Sequence, residues 1–223
     1  MKKIFLFSVL AALLFSALPV AAQVDSVVNL PNFLFPSFTR SIIKFKSGRN
    51  NQTGMLNYNV IDEEMVFMQP DAYMVLDNPD IIDTVFVGAR KFVPINNKSF
   101  YEVLTTGKMA LLMQYKTNAE YEGTPTGYGA STKSQGNTYV RQVYGPVGSV
   151  DLKIPDNIKL TEDNYYWIRT DSSMNKFANK RQFLKLVGDK EKEVSKFIDQ
   201  ASISFKKQTD VIRLVQYYAA LKD

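Results

Sequence analysis

The sequence predicts an α+β fold: an antiparallel β meander, sandwich-like or partly closed into a barrel, followed by a C-terminal segment of three helices. Three observations predict it. Between Ser41 and Tyr115, apolar and polar residues alternate in short runs punctuated by Gly, Pro, Asn and Asp, the period and punctuation of strands. The connections between these runs are too short to hold the crossover helices that parallel strands need. After Met174 the apolar residues recur at helical spacing, so helices follow the strands instead of alternating with them.

Taken in order, residues 41–46 (SIIKFK) put Ile43 and Phe45 on one face. The polar run 47–54 reads as a hairpin connection. Residues 55–60 (MLNYNV) place Leu56, Tyr58 and Val60 on one side and Asn57 and Asn59 on the other. Strands follow at 65–69 and, after a Pro70-Asp71 turn, at 72–76. Asp77-Asn78-Pro79-Asp80 is a turn by composition. Runs at 83–87, 91–95, 100–104 and 108–115 complete about eight strands. Residues 138–144 (TYVRQVY) return to alternation, and 165–168 (YYWI) make a last strand or an aromatic plug. Between them, 122–137 has ten Gly, Pro, Ser or Thr among sixteen residues, the composition of a flexible surface loop.

The helical reading begins with 175–187, where Phe177, Phe183, Leu184 and Val187 lie near one face and Gly188 is a stop. Asp189 can cap a second helix over 190–200, with Val194, Phe197, Ile198 and Ala201 apolar. Thr209 or Asp210 starts a third, carrying Val211, Ile212, Leu214, Val215 and Tyr218. Helices this short need a surface to pack on.

The N-terminus reads as a secretory signal peptide over residues 1–22. Lys2 and Lys3 precede an apolar stretch from Ile4 to Leu18, and Val20 and Ala22 fit the small positions before a cut at Gln23. That stretch is short of the roughly 20 residues that span a bilayer, and no later stretch reaches that length. With no cysteine anywhere, a lipid-anchored cysteine after the cut is excluded. The expected organisation is a β-rich domain over 23–173 and a helical segment over 174–223 packed on it. The expected location is the periplasm or the periplasmic face of an outer membrane.

Charge is divided unevenly. The chain is net +5; residues 23–173 hold fourteen basic and sixteen acidic residues, and 174–223 hold eleven basic and six acidic. A basic tail suits an anionic partner or simply a solvated helical face. No nucleic-acid recognition motif is present.

The segment Gly54-Met55-Leu56-Asn57-Tyr58-Asn59, with Glu63-Glu64-Met65-Val66-Phe67 after it, resembles a stretch found in largely uncharacterised exported proteins of the Bacteroidota. So do the run from Phe183 through Lys190, its continuation through Ile198, and Asp210-Val211-Ile212-Arg213-Leu214-Val215-Gln216-Tyr217-Tyr218. The resemblance implies a Gram-negative envelope location and no catalytic residue. Asp25-Ser26-Val27 and Asp83-Thr84-Val85 resemble the O-glycosylation signal of periplasmic proteins in that phylum.

The chain has no cysteine and no histidine, which excludes thiolate nucleophiles, Cys-ligated metals and every Ser-His or Cys-His arrangement. Asp62-Glu63-Glu64 is the densest carboxylate cluster. Neighbours on a strand point to opposite faces, so a turn explains it better than a two-carboxylate site. Asp77, Asp80 and Asp83 lack the glycine and terminal glutamate of a calcium loop. No Gly-x-Ser-x-Gly elbow occurs, and Ser195-Lys196 and Ser204 with Lys206 read as helix surface and link. The glycines at 123, 127, 129 and 136 precede no helix that could cradle phosphate. The expectation is a protein that is not an enzyme and has no cofactor.

Aromatics form 13% of the chain, which leaves two candidate contact surfaces. Phe33, Leu34, Phe35 and Phe38, broken by Pro31 and Pro36, either cover the sheet of their own domain or insert into a partner. Tyr128, Tyr165, Tyr166 and Trp167 are candidate ligand-binding residues, because exposed rings supply area and stacking to sugars; the competing reading is that they fill the sheet core. The function expected from these features is an envelope protein acting through protein–protein contact, with an envelope protein as partner. The alternative is a glycan- or small-ligand-binding module.

Overall fold

The computed structural model describes residues 30–96, 98–121, 134–135 and 158–222. The predicted signal peptide, all of loop 122–137 except Ser134 and Gln135, and the strand predicted at 138–144 lie outside the described residues.

Ten strands form one antiparallel sheet. Two four-strand meanders are joined side by side. The first is β1 (Thr39–Phe45), β2 (Gln52–Asn59), β3 (Glu64–Met68) and β4 (Tyr73–Val75). The second is β5 (Ile82–Val87), β6 (Arg90–Ile95), β7 (Ser99–Val103) and β8 (Ala110–Gln114). Pairing of β1 with β5, Ile43 opposite Val85, joins them. The chain then makes a smaller sheet from β9 (Thr117–Tyr121), β10 (Ser134–Gln135) and β11 (Ile158–Glu162), with β9 central. It returns to β8 with β12 (Tyr165–Arg169), and β13 (Met174–Phe177) forms the edge. The β5–β6 turn places Gly88 first at φ 58, a sign that a two-residue hairpin turn asks of that position and that glycine adopts without steric cost.

The sheet is open, with β13 and β4 as its edges. It curls nonetheless. Val60 accepts a hydrogen bond from the Thr117 amide (2.8 Å), and the Tyr58 hydroxyl donates to the Tyr115 carbonyl (3.3 Å). These bonds bring the β2–β3 turn against the β8–β9 junction.

Three helices follow: α1 (Lys180–Val187), α2 (Glu191–Gln200) and α3 (Gln208–Ala220). Asn179 caps α1 by accepting from the Gln182 amide (3.0 Å), while the Gln182 side chain accepts from the Ala178 amide (2.7 Å), the reciprocal logic of a capping box. Gly188 ends α1 at φ 55, and a 3-10 turn over Gly188–Lys190 leads into α2. Two details differ from expectation. The first helix starts at Lys180 because residues 174–177 pair with β12, Tyr166 opposite Phe177. Asp189 lies inside the 3-10 turn, and α2 begins at Glu191, with Lys190 in the cap position and no side-chain cap.

One face of the sheet is buried in two ways. At the β1–β6 end the curl packs Ile43, Leu56, Tyr58, Met65, Val85 and Phe92 against one another. At the β8–β13 end the helices cover the sheet: Leu111, Met113, Tyr166, Ile168 and Phe177 meet Phe183, Val194, Ile198, Val211 and Leu214. The helical tail is therefore half of a core. Among the described residues no helix is long and apolar enough to cross a membrane, which says nothing of strands.

Candidate functional site

The N-terminal candidates continue β1 along β2, irregularly. Phe33 forms a single bridge opposite Asn59, and Leu34 donates to the Tyr58 carbonyl (2.9 Å). Between that bridge and β1 the ladder is broken, and Asn57 repairs it. Its Oδ1 accepts from the Phe35 amide (3.1 Å), and its Nδ2 donates to the carbonyls of Phe35 (2.8 Å) and Ser37 (3.3 Å). Asn57 is fully buried, so this side chain stands in for backbone. Phe33 then packs with Leu30 and Val66, bordered by Phe38 and Tyr73. Leu34 and Phe35 pack on the curled core. All four candidates lie against their own sheet.

The β12 aromatics do not converge, because successive strand residues point to opposite faces. Tyr166 is buried toward the helices and stacks on Phe177 at 5.5 Å. Tyr165 and Trp167 point the other way. The exposed Lys176 ammonium stands 4.2 Å from the Tyr165 ring and 5.9 Å from the Trp167 ring, and Tyr101 lies 5.7 Å from Trp167. Tyr128 lies outside the described residues.

Trp167 is tied into a polar cluster that starts at the predicted carboxylate turn. Its Nε1 donates to Gln114 Oε1 (2.9 Å), and Gln114 Nε2 donates to Glu63 (3.0 Å). Ser99 also donates to Glu63 (3.1 Å), and the Lys116 ammonium lies 3.8 Å away. Asp62 and Glu63 lie in the β2–β3 turn, with Glu63 at φ 60, and Glu64 opens β3 opposite Asn59. Glu63 also pins that turn across to β7 and β8. Its charge adds to burial in raising the hydroxyl pKa of Tyr58 well above the ordinary tyrosine value, and that of Tyr101 to about 12.

A second cluster sits where the two cores meet. Arg90 makes a two-pronged ion pair with Glu102, Nε to Oε1 and Nη2 to Oε2 both at 2.7 Å. The Tyr115 hydroxyl donates to Glu102 Oε2 (2.6 Å) and accepts from Gln208 of α3 (2.8 Å). The Arg90 guanidinium lies within 4.9–5.5 Å of the rings of Phe35, Phe92 and Tyr115. Burial opposes the Arg90 charge, but the bonds to Glu102 outweigh it and hold the guanidinium pKa above its usual value. Tyr115 is pushed up by burial and by Glu102, so it keeps its proton. Both Glu102 oxygens face donors, and the arrangement acts as a clasp between sheet and helices. Nothing in the composition pointed to Arg90, Glu102 or Tyr115. The one available signal was a glutamate in the otherwise apolar run 100–104.

Among the described residues, no three carboxylates stand close enough to hold a metal ion. A cleft of about 320 Å³ lies between the N-terminal segment and the small sheet, bounded by Leu34, Val60, Tyr115, Leu160, Glu162 and Asn164.

The outer face of the first meander differs from the rest. Register places Arg40 opposite Met55, Ile42 opposite Phe86, and Phe86 opposite Lys91. Met68 shares that face of β3 with Val66, which lies opposite Asn57. Ile42, Met55 and Met68 are 41%, 37% and 43% exposed, high for large apolar side chains in strands. Sequence reasoning missed this patch, although the signal was present. Ile42 is out of phase with Ile43 and Phe45, and Met55 with Leu56, Tyr58 and Val60.

No known protein family, curated protein or solved structure matches the chain.

Proposed function

We propose that this chain is a non-catalytic protein of the cell envelope that works by protein–protein contact, as an accessory subunit of a periplasmic or outer-membrane assembly. The observation that carries the reading is the open apolar patch of Ile42, Met55 and Met68 on one sheet face. Exposed large apolar side chains gathered on one sheet face are a place for a partner to dock. Export rests on the N-terminal sequence: Lys2-Lys3, the apolar stretch and the small residues before Gln23. The carboxylates at Glu63 and Glu102 are engaged by structural donors, which supports a scaffolding use of the polar interior.

The test is native purification of a C-terminally tagged full chain from its own cell envelope in mild detergent. Elution with a stoichiometric partner is the expected result; elution as a lone monomer contradicts the reading. Removing residues 174–223 is not a usable control, because it strips half a core.

A second reading, a small-ligand-binding module, is favoured by the cleft at Leu34, Val60 and Leu160, whose size falls at the lower end of ligand pockets. That ligand would meet Glu162 and Asn164 rather than Tyr165 or Trp167.

A further inference from the structure

Resting on the contact reading above, we infer that the outer face of β1, β2, β3, β5 and β6 docks a partner protein whose matching surface is apolar at its centre and acidic at its rim. Strand alternation sends Ile43, Leu56 and Val85 inward, so Arg40, Ile42, Lys44, Met55, Phe86 and Lys91 share the outer face. The apolar members form a row from Met68 through Met55 and Ile42 to Phe86. At about 4.8 Å per strand, the five strands from β3 to β6 span about 19 Å, the length of a helix of about 13 residues lying across them.

Three cations border that row. Arg40 and Lys44 are exposed and Lys91 is half-buried. The Lys44 ammonium lies 5.2 Å from the Phe86 ring, which keeps the cation beside the apolar row. Glu64 is the acidic residue that the register places on this face, and it is 3.4 Å from Lys98. Asp83 sits by the β1–β5 bulge, accepting from Thr84. An apolar strip bordered by three cations is complementary to a surface of the opposite layout, where carboxylates steer the approach and set the register while the strip supplies burial.

A protein fits this layout better than a bilayer. Ile42 and Met55 lie mid-strand, level with the sheet, and the arginine and lysine side chains beside them are longer. A bilayer would meet the cations before the apolar row, whereas membrane insertion needs apolar side chains that project furthest. A second copy of this chain presents the same cations and is repelled.

The test places a photo-crosslinking residue at Thr53, on this face beside Met55, and separately at Lys196 on α2, in the full chain expressed in its own cells. The crosslinked protein is identified, purified and titrated with wild-type chain and with the Lys44→Glu/Lys91→Glu variant. The inference expects one dominant protein captured from Thr53 and not from Lys196, binding that weakens as salt rises, and an affinity loss of at least about tenfold in the variant. Capture from Lys196 alone overturns this surface and leaves the contact reading standing. Capture from neither position overturns both. A Thr53 partner whose affinity ignores the charge reversal overturns the acidic-rim assignment. Salt-sensitive binding to phosphatidylglycerol vesicles, with no protein captured, overturns it in favour of a membrane.

Discussion

On the inner face of the ten-stranded sheet, Leu56, Tyr58, Val85, Phe92, Leu111 and Phe177 are buried in two cores, while on the outer face Ile42, Met55 and Met68 stay 37–43% exposed. The same strands supply both faces. The inner face tolerates polar groups only when they are fully engaged, as Arg90, Glu102 and Tyr115 are. The N-terminal segment covers Asn57 and Val66 on the outer face, but Ile42, Met55 and Met68 beside them stay open. That contrast separates what folds the protein from what is left for a partner.

The helical core is where a single truncation costs most. Phe183 is fully buried and lies 4.9 Å from the Phe177 ring and 6.0 Å from Tyr218. Phe183→Ala is expected to lower the unfolding free energy by about 3–5 kcal/mol in urea titration. Glu102→Ala strands the Arg90 guanidinium at the seam and should cost about 3 kcal/mol. The double variant Arg90→Met/Glu102→Leu should recover most of that loss, since the charges are replaced together by apolar volume. Recovery below half would show that the clasp does more than satisfy itself.

Asn57→Ala removes the side chain that completes the broken β1 ladder. The expected loss is about 2 kcal/mol, and amide hydrogen exchange at Phe35 should quicken more than at Ile43. Alkaline pH gives a graded test. Tyr58, Tyr101 and Tyr115 all have pKa values raised above the unfolded value. Above about pH 10 the unfolded chain therefore releases protons that the folded chain retains. Stability should stay level from pH 7 to about 9.5 and fall progressively beyond it, and replacing Tyr58 by Phe should flatten that fall.

Much of the inner face was legible in the sequence, because alternation reports burial when one side of a strand is apolar. Leu56, Tyr58 and Val60 illustrate this. The same rule hid Asn57 and Asn59, which are buried by a segment that pairs irregularly and so leaves no periodic mark. β9, β11 and β13 owe their strand state to their neighbours more than to their own short patterns. Phe177 looked helical because it stands in register with Leu184, but it meets Phe183 across a chain reversal. Adjacent Tyr165, Tyr166 and Trp167 suggested a cluster, and the strand divides them between faces. The outer patch was legible only as apolar residues out of phase, a signal visible once the strand register is known.

The unfolding free energy of the triple variant Ile42→Thr/Met55→Thr/Met68→Thr, measured in urea by Trp167 fluorescence, decides whether the outer face is free surface. Threonine keeps strand propensity while removing the apolar surface. If the outer face is free surface awaiting a partner, stability should match wild type within about 1 kcal/mol. A loss of about 3 kcal/mol or more would mean that these three side chains are buried by the protein itself, and the division between a folding face and a contact face would be wrong.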